Sequence, residues 1–268
     1  MPDRNAPAQD RVDDILDQLE ETYPDAKIAL RYSTPLECVV ATVLSAQSTD
    51  AKVNEVTVDL FQKYRRPEDY LAVPEEELQR DIHPTGFFRQ KTKALRGLSS
   101  VLLEDFDGEV PSTIADLITL PGVARKTANI VQANCFPEAL ERDPDAGIAV
   151  DTHVGRVAVR LGLTDRGPKE AQKIEPDLMA IAPKQRWPKL PDLFIEHGRQ
   201  VCDAKRPRCE ACAIEPLCPS SQEAGLVDLY RVAMAKKKPA KKATKRKPAK
   251  KATKKVTARK SRPRSPGE

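Results

Sequence analysis

The sequence predicts an all-α protein, and three observations carry that expectation. Apolar residues recur at intervals of three and four along most of the 268-residue chain, so each group falls on one face of a helix. No stretch alternates apolar and polar residues as a half-buried strand does. Proline and glycine separate the periodic segments, where they stop one helix and let the chain turn. The pattern implies about ten helices joined by short loops.

The first buried face is Val12, Ile15, Leu16 and Leu19. The second is Leu36, Val39, Val40, Val43 and Leu44, and the third is Val53, Val56, Leu60, Phe61 and Tyr64. Ala94, Leu95, Leu98, Val101 and Leu102 mark a long helix, and Val154, Val157, Ala158 and Leu161 mark another after the middle of the chain. Each set leaves a polar face to water, as helices around a shared core require.

Between these lies Leu117–Val131, LITLPGVARKTANIV. A helix ends, Pro121-Gly122 turns the chain, and Val123 opens a new helix through Ala128 and Ile130. Two helices joined by a glycine turn leave free backbone N–H groups at the start of the second, where a phosphate can bind without base contacts. The same turn also serves as a plain connection. Lys126 lies one turn into the second helix, beside Arg125. Asp151 follows the apolar run Ile148-Ala149-Val150 and precedes a helical pattern, which suits an N-cap. A lysine near a carboxylate is also the pair that amine nucleophilic catalysis needs, because the amine must lose a proton and a developing cation must be stabilised.

Four of the six cysteines crowd into C-x6-C-x2-C-x5-C at Cys202, Cys209, Cys212 and Cys218. Pro207, Pro216 and Pro219 prevent one regular helix there, and a looped segment with four thiolates can wrap either tetrahedral zinc or a [4Fe–4S] cube. Only one short C-x2-C pair is present, where zinc sites commonly have two. Cys38 and Cys135 sit alone in apolar helical contexts and read as core residues.

The net charge of +5 conceals a division. From Ala235 to Glu268 there are 16 Lys or Arg and one acid, so the tail carries +15 and the preceding body −10. The octet KPAKKATK occurs at Lys238–Lys245 and again at Lys247–Lys254. Repelling lysines, prolines and no large apolar residues cannot form a core, so residues 223–268 are expected to be a disordered basic tail that binds a polyanion or is simply solvated. No apolar run is long enough to cross a membrane, and the polar, acidic N-terminus is unlike a signal peptide. A cytoplasmic protein is expected, nucleoid-associated if the source is bacterial.

LPGVARKTANIV, then AVDTHVGRV, then the four-cysteine run resemble, in that order, the endonuclease III family of helix–hairpin–helix DNA glycosylases. VVATVLSAQSTD at 39–50 and HGRQVC at 197–202 extend the resemblance over about residues 10–220. It implies two helical lobes: a six-helix lobe over 28–142 with the helix–hairpin–helix, and a second lobe from 1–27 and 143–222 with a C-terminal [4Fe–4S] loop. It implies that Lys126 is the nucleophile, Asp151 the catalytic aspartate and the four cysteines the cluster ligands. Gln47 matches the residue that fills the gap left by a flipped base, and Phe87 the wedge, a task Phe88 or His83 could share. Gly122 and Ala124 in the hairpin, with Lys205, Arg206 and Arg208 in the cysteine loop, are the implied backbone contacts. His153 is a structural neighbour.

The implied function is base excision repair by a bifunctional glycosylase and AP lyase. It would act as a monomer on double-stranded DNA with damaged pyrimidines or abasic sites, and cut 3′ to the site by β-elimination. The competing readings are a monofunctional mismatch glycosylase, which would lack Lys126, and a nonenzymatic DNA-compacting protein. Two departures from the family pattern carry further expectations. Ala124 stands where many relatives have glycine, which places it at helical φ. The acidic stretch 136–147 is expected to form a surface loop.

Overall fold

Every regular element among the described residues is helical, and the reason is visible at the helix starts. The computed structural model describes residues 3–236. In chain order the helices are α1 (Ala8–Thr22), α2 (Pro35–Ser45), α3 (Asp50–Lys63), α4 (Pro67–Ala72), α5 (Glu75–Ile82), α6 (Phe88–Asp105), α7 (Ile114–Leu117), α8 (Arg125–Cys135), α9 (Pro137–Arg142), α10 (Thr152–Arg160), α11 (Ala171–Ile181), α12 (Leu190–Gln200) and α13 (Leu229–Lys236). No strand occurs among the described residues. The threonine side chains of Thr34, Thr49 and Thr113 accept from the third backbone N–H beyond them and start α2, α3 and α7. Proline opens α2, α4 and α9, where its missing N–H costs nothing. The thirteen helices among the described residues exceed the expected ten because α4, α7 and α9 have four to six residues, too few to show a period.

The apolar faces build two separate hydrophobic cores. One runs from Leu30 to Val131 and is centred on Val39, Leu44, Val53, Leu95, Leu98 and Leu102, all buried. The other joins Val12, Ile15, Leu16 and Leu19 of α1 to Val154, Val157, Phe194 and other residues between Leu140 and Leu217. Fully burying each such side chain stabilises by about 1.5–3 kcal/mol, so one helix face contributes several times that. Leu140 packs in the second core.

Three expectations are corrected. The acidic stretch 136–147 is not a surface loop: α9 fills its first half, and Leu140 and Asp143 are buried. The second helix of the hairpin starts at Arg125 rather than Val123, and Ala124 is its N-cap with φ −96° and ψ 170°, an extended rather than a helical conformation. An alanine adopts that conformation without strain, so the glycine of other sequences is not needed there. Thirdly, ordered chain continues past residue 223 to Lys236. Asp228 explains this, because it forms a buried ion pair with Arg160 at 3.0 Å and fixes the chain from which α13 starts. The remainder of the expected disordered tail, residues 237–268, lies outside the described residues.

Candidate active site and cysteine pocket

Lys126 is the second residue of α8 and is exposed. Its position is set by the hairpin. Gly122 has φ +85°, a conformation glycine adopts freely, and a Cβ there would stand 2.9 Å from the Cβ of Ala94. The turn is therefore tight against α6 and delivers the start of α8 to the surface. Ala124 has no side-chain acceptor, so the first N–H groups of α8 have no side-chain cap. Arg125, next to Lys126, pairs with Glu175 of α11 at 2.9 Å, and Asn129 donates to the same carboxylate oxygen at 2.8 Å. These bonds hold the first two turns of α8 to an element of the second core.

Asp151 is the N-cap of α10: its Oδ1 accepts from the backbone nitrogens of His153 and Val154, both at 2.8 Å. The capping role is thus present, and it leaves Oδ2 without a hydrogen bond among the described residues. Lys126 and Asp151 line the same cleft, of about 140 Å³. Asp50 of α3 and Arg199 of α12 also line it and meet at 2.7 Å. His153 lies half-buried beside Asp151 and contacts Arg156 through Nδ1 at 3.0 Å.

Asp192 is a residue of this cleft that sequence reasoning missed. Burial raises its carboxyl to about 6, with Lys189 pulling the other way. Its signal was available: an aspartate set inside the apolar helical run LPDLFI.

Gln47 and Phe87 do not line the cleft. Both are exposed, and both have left-handed backbone, with φ of 53° and 49°. Non-glycine residues in that region cost about 1–3 kcal/mol each and persist where the surroundings over-determine them. Phe87 is 55% exposed, whereas Phe88 packs against His83 with ring centroids 4.7 Å apart and the planes tilted by 41°, so Phe87 is the free aromatic of the three.

The four clustered cysteines surround one pocket with Arg160, His197 and Ile214. Arg160 donates to the sulfur of Cys202 at 3.3 Å, and the sulfur of Cys212 lies 3.8 Å from His197 Nε2. Burial pushes the thiols of Cys212 and Cys218 up to about 12, and the neighbouring cysteines add to both shifts. Four thiols beside a buried arginine are a donor set for a metal centre, and Glu215, which lines the same pocket, accepts hydrogen bonds from Arg4 and Ser221 instead. Among the described residues no three His, Cys, Asp or Glu side chains are gathered as about a single metal ion. Backbone N–H groups of Lys205 and Arg206 donate to Asp203 Oδ1, which folds this loop so that both side chains are exposed. Arg208 donates to the carbonyl of Gln200 and is also exposed.

A model of the HhH-GPD superfamily of base excision DNA repair proteins matches residues 40–184. Endonuclease III of Bacillus subtilis is 46% identical over 213 residues, which cover 80% of this chain and 94% of the relative. The chain belongs to the endonuclease III family. Endonuclease III of a Synechocystis species is 45% identical over 217 residues, 81% of this chain and 95% of the relative. Among solved structures, a non-covalent endonuclease III–DNA complex superposes with a TM-score of 0.73 at 40% identity, covering 81% of this chain and 98% of that one. A trapped covalent endonuclease III–DNA intermediate matches with the same values. A thermostable thymine-DNA glycosylase, 20% identical with a TM-score of 0.66, shares the fold. No helix among the described residues is long and apolar enough to cross a membrane.

Proposed function

We propose that the chain is a bifunctional DNA glycosylase and AP lyase that removes damaged pyrimidines from duplex DNA and cuts the strand 3′ to the resulting site. The observation that carries this reading is that Lys126 and Asp151 line one cleft. Family membership favours it over a DNA-compacting protein, and a lysine at position 126 favours it over a monofunctional mismatch glycosylase.

In this reading the target base leaves the stack, because C1′ of its sugar is inaccessible inside a duplex. Gln47 and Phe87 enter the space it vacates, and the hairpin amides around Gly122 and Ala124 hold a phosphate. Lys126 Nζ bonds to C1′ as the C1′–N bond breaks and the base departs with that electron pair and a proton. The C1′–O4′ bond then breaks as the lysine nitrogen forms a double bond to C1′, O4′ takes up a proton, and a Schiff base with an opened sugar results. Loss of a C2′ proton then expels the 3′ oxygen with its phosphate, and hydrolysis of the imine releases Lys126. Asp151 stabilises the positive charge that develops on the sugar, and Oδ2 is the oxygen available for it.

Cys202, Cys209, Cys212 and Cys218, which surround one pocket, would hold a [4Fe–4S] cluster. When bound, the cluster would supply structural cross-linking of the loop. Lys205, Arg206 and Arg208, on the loop it would fix, face the DNA backbone. The protein acts as a monomer in the cytoplasm at the chromosome, and its basic tail adds nonspecific DNA affinity. Incubation with duplexes bearing thymine glycol, an 8-oxoguanine mispair or an abasic site tests the assignment. Strand cleavage at thymine glycol and at the abasic site is expected; base release without cleavage would replace it with the monofunctional reading.

A further inference from the structure

Lys91 of α6 is 5% exposed and has no acidic partner among the described residues. Its ammonium donates to the carbonyl of Leu44 at 2.7 Å and to the carbonyl of Thr85 at 2.8 Å. Burial lowers its affinity for the proton, and that is the only influence of note on it. A lysine is buried in this way only when its hydrogens meet acceptors, and these two acceptors are specific. Leu44 is in the last turn of α2, and Thr85 ends the short 3-10 turn His83–Thr85. Carbonyls at helix ends lack intrahelical donors and carry the negative end of the helix dipole, so one cation satisfies two helix termini at once.

Each of these termini leads directly into an exposed residue with left-handed backbone. Gln47 comes three residues after Leu44, and Phe87 comes two residues after Thr85. The backbone N–H of Lys91 donates to the carbonyl of Phe87 at 3.1 Å as well. One residue therefore grips the approach to both unusual side chains and the backbone of one of them.

Resting on the function proposed above, we infer that Lys91 is a positioning residue that sets the register of the two segments by which Gln47 and Phe87 enter the duplex. It touches neither substrate nor cleft. Its loss leaves the lysine chemistry intact and impairs base extrusion, because both segments lose their common anchor and relax toward ordinary backbone conformations.

Two substrates separate these effects: a duplex containing thymine glycol, where a base must be extruded, and a single-stranded oligonucleotide with one abasic site, where none has to be replaced. Under single-turnover conditions at saturating enzyme, Lys91→Met is expected to slow excision from the duplex by about 20-fold and to leave cleavage of the single strand within about twofold. Lys91→Gln, which keeps a donor for one carbonyl, should fall between wild type and Lys91→Met, and it carries the test if the methionine variant does not fold. In a Gln47→Ala, Phe87→Ala background, Lys91→Met should add less than about twofold. Equal losses on both substrates, or a full additional loss in that background, would overturn the inference and make Lys91 a stability residue. A wild-type enzyme inactive on both substrates would instead overturn the proposed function, and this inference with it.

Discussion

Asp143 Oδ2 accepts a hydrogen bond from Gln132 Nε2 at 2.6 Å and another from the backbone nitrogen of Ile114 at 2.7 Å. Gln132 is on α8 and Ile114 begins α7, so one carboxylate from the acidic stretch 136–147 ties together the two helices of the hairpin. Burial would raise this carboxyl, but the bonds from Ile114, Gln132 and Asp145 outweigh it and hold Asp143 below the usual carboxylate range. The folded pKa is depressed, so the stabilisation is present above the unfolded value near pH 4 and is lost as pH falls below it. Asp143→Ala leaves a buried N–H and amide unpaired and is expected to cost about 3 kcal/mol at pH 7 in equilibrium urea unfolding. Its effect should shrink as the pH is taken below 4. A cost below about 0.5 kcal/mol at pH 7 would mean that water replaces the carboxylate.

Asp192 gives the opposite sign. Its carboxyl is raised by burial to about 6, so the folded protein keeps this proton at pH values where the unfolded chain has released it. Its contribution is complete below the unfolded value near 4 and declines as pH rises through 6. Asp192→Asn does not titrate. It is expected to raise stability over wild type by about 2 kcal/mol at pH 8 and to make little difference at pH 4, read by thermal unfolding across that range. A pH-independent difference would show that Asp192 titrates alike in the folded and unfolded protein.

Much of the site is legible in the sequence because motifs and helix periodicity are local. Lys126 and Asp151 stand out through a turn, a cap and a resemblance, and all four α1 residues read as one face are fully buried. The illegible part depends on pairings distant in sequence. Asp143 lies in a segment too short and acidic to show a buried face, yet its partners are 11 and 29 residues away. Lys91 reads as one more surface lysine until Leu44, 47 residues earlier, is beside it. Ala124 departs from expectation for a local reason, because a two-residue shift of the helix start, from Val123 to Arg125, exchanges helical for extended backbone.

The cysteine pocket predicts metal content. Wild-type protein should be brown and contain close to four irons per chain, as a [4Fe–4S] cube requires. Cys212→Ser should lose most of that iron and weaken duplex binding before it alters single-turnover cleavage. Colourless wild-type protein with one zinc would remove the cluster from the account.

Residues 237–268 carry 15 Lys or Arg and one acid. Each lysine that neutralises a phosphate releases a counterion, so deleting this segment should weaken undamaged-duplex binding and flatten the slope of log K against log salt by several units. Single-turnover excision at saturating enzyme should be unchanged. Equal slopes for full-length and truncated protein would show that the tail does not serve as a DNA tether.

The central claim is that Lys126 forms the bond to C1′, and borohydride trapping tests it most directly. Reduction during turnover on abasic duplex should lock wild-type protein to the oligonucleotide, with the adduct mapping by peptide mass to Lys126. Lys126→Gln should abolish both the adduct and strand cleavage while still binding the duplex. Retained trapping in Lys126→Gln, or an adduct mapped to another lysine of the chain, would contradict the account.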